Sequence, residues 1–175
     1  QVLGREGARF ALEHRLFGTV VYGLIPEPER RRRHRLLGEW ILSEGDPDLP
    51  GRRERAARHL FLSDRPEMAL EHLRIAGSRA LRSGALREAA EFLGRALEVI
   101  PGGRERADVL LELEQVLGLL GDRDRQLEDL RILLEMSEPL GDPVLRCEIL
   151  LRQAAFLDAT GKKRDSMGSY DAALE

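Results

Sequence analysis

LEHLRIAGSRALRSGALREAAEFLGRALEVIPGG, residues 70–103, holds the fold in miniature. Leu73, Ala76, Gly77 and Ala80 recur at intervals of three and four, and so do Ala89, Leu93 and Ala96. That spacing places side chains on one stripe of an α-helix. Between the two runs stands Arg82-Ser83-Gly84, and Pro101 follows the second, so each helix has a place to stop. The stripes mix Ala and Gly with Leu. Small residues let two helices approach closely while the large ones fill the groove beside them. The stretch reads as one helical hairpin.

The same alternation continues on both sides. Polar punctuation falls at SDRP (63–66), RSG (82–84), IPGG (100–103), LGDRD (120–124), LGDP (140–143) and TGKKR (160–164). It predicts helices at about 52–62, 66–82, 85–100, 104–119, 124–138, 143–159 and 163–174. Asp64 with Pro66, and Asp142 with Pro143, suit helix starts. Gly84, Gly121 and Gly161 suit the positions where the backbone leaves a helix. Gly84 to Gly121 is 37 residues and Gly121 to Gly161 is 40, in similar surroundings. A second unit matches through Leu110, Leu113, Leu117, Gly121, Leu130 and Leu133, with Glu114 and Gln126 where small residues are expected. A third matches through Leu150, Ala154, Leu157, Gly161, Ser166, Tyr170 and Ala173, and Ala56, Ala57, Leu60, Ala69 and Leu73 suggest an earlier partial one.

These units resemble tetratricopeptide repeats, pairs of antiparallel helices of about 34 residues. The resemblance implies an all-α fold in which the hairpins stack into a superhelix, with repeats at about 70–103, 107–140 and 147–175 after a partial one at 52–69. Composition agrees: the chain of 175 residues is 42 % hydrophobic but only 5 % aromatic, and Leu and Ala dominate over Val and Ile, a mixture that favours helices over sheets. The balance of 28 basic and 31 acidic side chains argues against a polybasic nucleic-acid binder. A lone cysteine excludes a disulfide-stapled scaffold. No apolar stretch reaches the roughly 20 residues a bilayer requires, and the first residues do not read as a signal peptide, so a cytoplasmic chain with no membrane partner is expected.

The first 50 residues differ. Gly4 and Gly7 bracket an expected turn and Arg9–Leu12 an expected strand, a hairpin remnant that cannot stand alone. Phe17, Val20, Val21 and Leu24 then mark a helix ending near Pro26, and a second helix from Pro28 or Glu29 to Leu42 is expected to bury Leu36, Leu37, Trp40 and Ile41. Residues 11–42 resemble the end of the winged-helix subdomain in bacterial signal-transduction ATPases with numerous domains. Leu12, His14 and Leu16 stand at its F-x-H-x-L element, with Leu12 where an aromatic is usual. Val20, Val21 and Tyr22 stand at its V-V-Y step, and Arg30 and His34 at its R-x-x-x-H helix. Such proteins continue into degenerate tetratricopeptide repeats. The resemblance implies two regions, 1–50 as the winged-helix end with connecting helices and 51–175 as the repeats. It implies a larger parent that uses ATP and carries a protein kinase, nucleotide cyclase or transcription-factor domain. On that resemblance His14 is a nucleotide-sensor candidate, since an imidazole can donate to a phosphate oxygen; a capping or packing role beside Leu12 and Leu16 is the alternative.

The chain itself offers no catalytic constellation. Gly161-Lys162 lacks the phosphate-loop pattern, with Phe156 where the first glycine belongs and Lys163 where a hydroxyl belongs, so no cofactor is expected in this segment. Arg30, Arg31, Arg32, Arg33 and Arg35 form a basic run, but Glu27, Glu29 and Glu39 dilute it. A solvated face or a contact to the ATPase core is expected there rather than nucleic acid. His59 and His72 lie on different expected helices and Cys147 has no thiolate partner nearby in sequence, which argues against a metal site. Cys147 is expected to be a structural thiol.

Function is therefore expected on a surface. Stacked hairpins present a concave face lined by first helices. Projecting the repeat positions that line it selects Arg58, Phe61, Arg74, Ser78, Leu81, Leu111, Gln115, Gly118, Leu151, Ala155 and Asp158 as groove candidates for a protein or peptide. Tyr170, Ala173 and Leu174 would form an uncapped edge, which suggests either a continuing chain or pairing of protomers. Three readings stand: a non-catalytic interaction and signal-transmission segment, an ATPase-associated arm in which His14 senses nucleotide, and a nucleic-acid-binding helical domain.

Overall fold

Helix stop signals in the sequence become left-handed glycines in the structure, a computed structural model that describes residues 3–6, 9–12, 15–46, 49 and 51–174, with side chains from residue 19 onward. Gly84, Gly121 and Gly161 have φ of 77°, 76° and 79°, a conformation without steric cost only for glycine. Between them the chain is helical: α1 (Arg15–Leu24), α2 (Glu27–Ser43), α3 (Arg52–Phe61), α4 (Leu70–Arg82), α5 (Leu86–Val99), α6 (Gly103–Leu120), α7 (Arg123–Leu140), α8 (Pro143–Ala159) and α9 (Lys163–Leu174). The expected helix from 66 begins instead as a 3₁₀ turn, Pro66–Ala69, before α4 proper. Ahead of α1, β1 (Leu3–Glu6) and β2 (Arg9–Leu12) pair antiparallel with Leu3 opposite Leu12. Gly4 lies within β1 rather than in the expected turn. His14 and Gly7 lie outside the described residues.

Caps define several helix ends. Asp142 accepts from the Leu145 amide at 3.0 Å, with Pro143 as the first helical residue, and Asp122 accepts from the Arg125 amide at 3.3 Å. Asp64 does not cap; it accepts from Arg35 Nε at 3.0 Å. At the other end of α5, Arg106 reaches back to the Leu97 and Ile100 carbonyls at 2.6 and 3.0 Å, a cation on orphaned acceptors.

The chain forms two compact units, Gln1–Met68 and Ala69–Glu175. In the second, each helix from α4 to α9 packs on its sequence neighbours, and α4 also touches α6. Leu73, Ala76, Ala89, Phe92, Leu93 and Ala96 are wholly or almost wholly buried in the α4–α5 hairpin. A further cluster gathers Ala107, Leu110, Leu111, Leu133, Leu145 and Ile149 from α6, α7 and α8. Gly77 sits where α4 and α5 cross: a Cβ built there would lie 2.8 Å from Leu93 Cγ. The first unit repeats the device, with a Cβ on Gly38 of α2 meeting Leu60 Cγ of α3 at 2.7 Å.

That crossing also corrects the expected burial of α2. Ile41 is buried, but Leu36, Leu37 and Trp40 are exposed, Trp40 by 56 %. α3 approaches over Gly38; at 100° per residue Leu36 and Trp40 lie well away from the Gly38–Ile41 stripe, while Leu37 stands at its margin, one turn before Ile41. Where the close approach occurs, not the count of apolar residues, decides which face is covered. Among the described residues no helix is long and apolar enough to cross a membrane.

Candidate interaction surface

Within the second unit, alternate helices α4, α6 and α8 are tied side by side by charged groups. Arg74 of α4 reaches Glu105 and Glu112 of α6 at 3.3 and 3.6 Å, and Ser78 donates to Glu112 at 3.1 Å. Arg104 of α6 pairs with Asp108 at 2.8 Å and with Asp142 at the start of α8. Those contacts hold Asp142 below the usual carboxylate range: its hydrogen bond from the Leu145 amide is the largest cause, and the Arg104 charge adds to it. Arg152 of α8 donates to the Leu111 carbonyl at 3.0 Å and pairs with Glu114 and Glu148, each at 2.9 Å. Glu105 and Glu112 thus face α4 and Glu114 faces α8, which leaves Gln115 and Leu119 exposed along α6.

The groove candidates fall into distinct settings. Arg58 and Phe61 are half-buried on α3 of the first unit, whereas Arg74, Ser78 and Leu81 are half-buried on α4 of the second. Gln115, Leu151, Ala155 and Asp158 are exposed on α6 and α8. Leu111 is not on an open face; it is 5 % exposed and belongs to the core, because α8 packs over that side of α6. A Cβ on Gly118 would meet the Gln126 amide at 2.9 Å, so its side faces α7. Asp158 accepts from the buried Ser166 hydroxyl and from Tyr170 at 3.1 Å, and the latter bond holds the Tyr170 phenol above its ordinary value. Arg74 and Asp158 are therefore engaged within the chain, while Gln115 and Leu151 present an amide and an apolar side chain to solvent.

Beneath this face lies a polar network that the sequence shows only as irregularity. Gln126 of α7 donates to Glu114 at 2.6 Å and accepts from Arg123 at 2.6 Å, so Glu114 receives Gln126 from one side and Arg152 from the other. Glu114 and Gln126 are 4 % and 6 % exposed. The signal was two polar residues replacing the small pair of one and the same hairpin. One turn beyond Gln126, burial pushes the Asp129 carboxyl up to about 6; Glu114, Glu128 and Asp122 add to this and Arg125 opposes it. Asp129 Oδ2 is buried without a hydrogen-bond partner.

Cys147 is half-buried and its thiol donates to the Ala173 carbonyl at 3.4 Å, joining α8 to α9. Among the described residues no group of three His, Cys, Asp or Glu could hold a metal ion. A cleft of about 600 Å³ beside α5 brings Arg87, Arg95 and Arg125 together with Glu91, Glu98 and Asp122, so its charges balance. In the first unit the arginine run is largely engaged: Arg31 with Glu27 and Arg33 with Glu29 at 2.8 Å, Arg35 with Glu39 and Asp64, and Arg30 over the Tyr22 ring at 5.1 Å. No protein-family model matches the chain, and comparison with curated proteins finds no relative.

Proposed function

We propose that this chain is a non-catalytic interaction and signal-transmission segment of a larger bacterial, cytoplasmic regulator. It is built from tetratricopeptide-like hairpins and receives a protein or peptide on the α4–α6–α8 face. The observation that carries the reading is the lateral row of ion pairs. Arg74, Arg104 and Arg152 lock alternate helices together, so Gln115 and Leu151 are held on a fixed support. Rigid, mixed surfaces of this kind recognise extended or helical peptides, with amide groups setting direction and apolar side chains supplying area. The Gly77–Leu93 and Gly38–Leu60 crossings support the repeat assignment, since helical repeats depend on small residues at such points. ATP and an output domain belong, on this reading, to the parent, and other domains of that parent are natural occupants of the face.

A photo-crosslinking residue at Gln115 or Leu151, compared with one at Arg131 on the exposed side of α7, tests the assignment. Crosslinks to one defined partner from Gln115 and Leu151 but not from Arg131 are expected. Equal yields from both faces would refute it. Calorimetry with ATP provides the second arm: no micromolar binding is expected, and tight binding by this chain alone would overturn the non-catalytic reading.

A further inference from the structure

Two histidines far apart in sequence meet in the first unit. His34 of α2 and His59 of α3 place their Nδ1 atoms 2.8 Å apart, with ring centroids 5.1 Å apart and planes at 29°. His34 Nε2 lies 2.7 Å from the Tyr22 hydroxyl of α1, whose ring stands edge-on to the imidazole. We propose that Tyr22, His34 and His59 form a proton-controlled latch between α2 and α3, closed while the imidazoles share a proton at Nδ1 and opened when both are charged.

The valences require this. An Nδ1-to-Nδ1 contact at 2.8 Å needs one donor and one acceptor, so the neutral rings adopt complementary tautomers. If His34 carries its proton on Nδ1, its Nε2 accepts from Tyr22 and His59 accepts at Nδ1. In the reverse arrangement His59 donates, and His34 donates from Nε2 to the Tyr22 oxygen. One added proton is tolerated: a doubly protonated His34 still donates to neutral His59 and now donates to Tyr22 as well. A second added proton puts N–H against N–H and two like charges side by side, and the contact must part.

Burial and two nearby arginines oppose charging. Among the described residues, the groups acting on the rings are Tyr22 from α1, Arg30 from α2 and Arg55 from α3. Burial, with the Arg30 charge adding, holds His34 below the usual imidazole range. Burial, then His34, then Arg55 do the same to His59. Folded values below the unfolded value mean that the latch contributes fully above an unfolded pKa of about 6.5 and is lost as pH falls through the folded values. Neither Gly38 nor Leu60 at the α2–α3 crossing is titratable, so protonation acts on the histidine contact and not on that crossing directly. This inference is independent of the proposed partner surface, which lies in the other unit.

The test is a histidine ring NMR titration of the full chain from pH 8 to 5, with amide hydrogen exchange of α3 followed in parallel. At pH 7.5 one ring of the pair is expected as the Nδ1–H tautomer and the other as Nε2–H. Two macroscopic steps about one pH unit or more apart should follow, as for coupled sites. In His59→Asn, whose amide oxygen can accept but cannot charge, His34 should titrate in a single step. The acceleration of α3 exchange between pH 7.5 and 5.5, expected in the natural sequence after correction for intrinsic rates, should vanish. His72→Asn should change neither. Two independent steps near 6.5 with both rings as Nε2–H would overturn the proposal. So would split steps with α3 exchange unaltered by His59→Asn.

Discussion

Gly77→Ala isolates the close approach on which the α4–α5 hairpin rests. Two opposed terms follow from the structure. In a helix interior, alanine is favoured over glycine by about 1 kcal/mol, through backbone entropy and propensity. Against this, the new Cβ would stand 2.8 Å from Leu93 Cγ and 2.9 Å from Cδ2, roughly 1 Å inside ordinary carbon contact. Leu93 is fully buried, and its backbone nitrogen is 3.6 Å from the same point, so the contact is relieved only by repacking Leu93 or by spreading the two helices. Overpacking of this kind costs about 1–3 kcal/mol. The two terms leave Gly77→Ala between neutral and about 2 kcal/mol destabilising.

A single value inside that interval would decide little, so the comparison is with Gly94→Ala. Gly94 lies within α5, and a Cβ there meets nothing within 4 Å. The propensity term is common to both variants and cancels, leaving the clash: Gly77→Ala should fall below Gly94→Ala by about 1–3 kcal/mol. Urea unfolding followed by circular dichroism, with equal slopes required before midpoints are compared, measures the difference. Leu93→Ala in the Gly77→Ala background supplies the coupling, which should be at least about 0.5 kcal/mol for residues in contact. If Gly77→Ala stabilises as much as Gly94→Ala, Leu93 does not sit over Gly77, and the register of the hairpin is wrong.

Asp129→Asn should stabilise the chain at alkaline pH. A carboxyl raised to about 6 in the folded state, against 3.8 ordinarily, penalises folding above pH 6, and the penalty is relieved as pH falls from 6 towards 3.8. Because the side chain is only partly buried, the gain at pH 8 is discounted to about 1 kcal/mol, and urea midpoints at pH 8 and 4.5 should show it shrinking; an equal gain at both would remove the electrostatic cause. Arg152→Ala should cost about 3 kcal/mol, at the lower end for breaking a buried pair, since Glu114 keeps its bond from Gln126. The same denaturation curves check it, and a loss below about 0.5 kcal/mol would mean that Glu114 is hydrated without its partner.

Most of the helical architecture was legible because the turn signals are local. Gly84, Gly121 and Gly161 take the left-handed conformation that their positions called for, and Asp142 caps α8 as its place before Pro143 required. The faces were harder. α2 has apolar residues on two stripes, and periodicity alone does not say that α3 arrives over Gly38 rather than over Trp40. The surface assignment met the same obstacle at Leu111. Its repeat position suggested an open face, but the approach of α8, fixed by Arg152 on the Leu111 carbonyl, covers it. The His34–His59 contact joins residues 25 apart, and no spacing rule connects them.

The hairpins are therefore not interchangeable, and the reason lies in their crossings. α2–α3 and α4–α5 close on a glycine seated against a leucine, which needs nothing from outside the pair. In α6–α7 the place of Gly77 in the repeat is taken by Glu114 and that of Ala89 by Gln126, and a buried carboxylate bonded to one amide still lacks a cation. Arg152, on the next helix, supplies it. The α8–α9 pair thus completes α6–α7 electrostatically, so α6–α7 folds with its charge satisfied only when α8 is docked. Neighbour coupling in helical repeats is usually assigned to shared apolar area. Here one buried ion pair adds a directional condition to it, and the same guanidinium anchors the α6–α8 edge of the exposed face bearing Gln115 and Leu151. A force or ligand that shifted α8 along α6 would part Arg152 from the buried Glu114, making displacement of this helix costly.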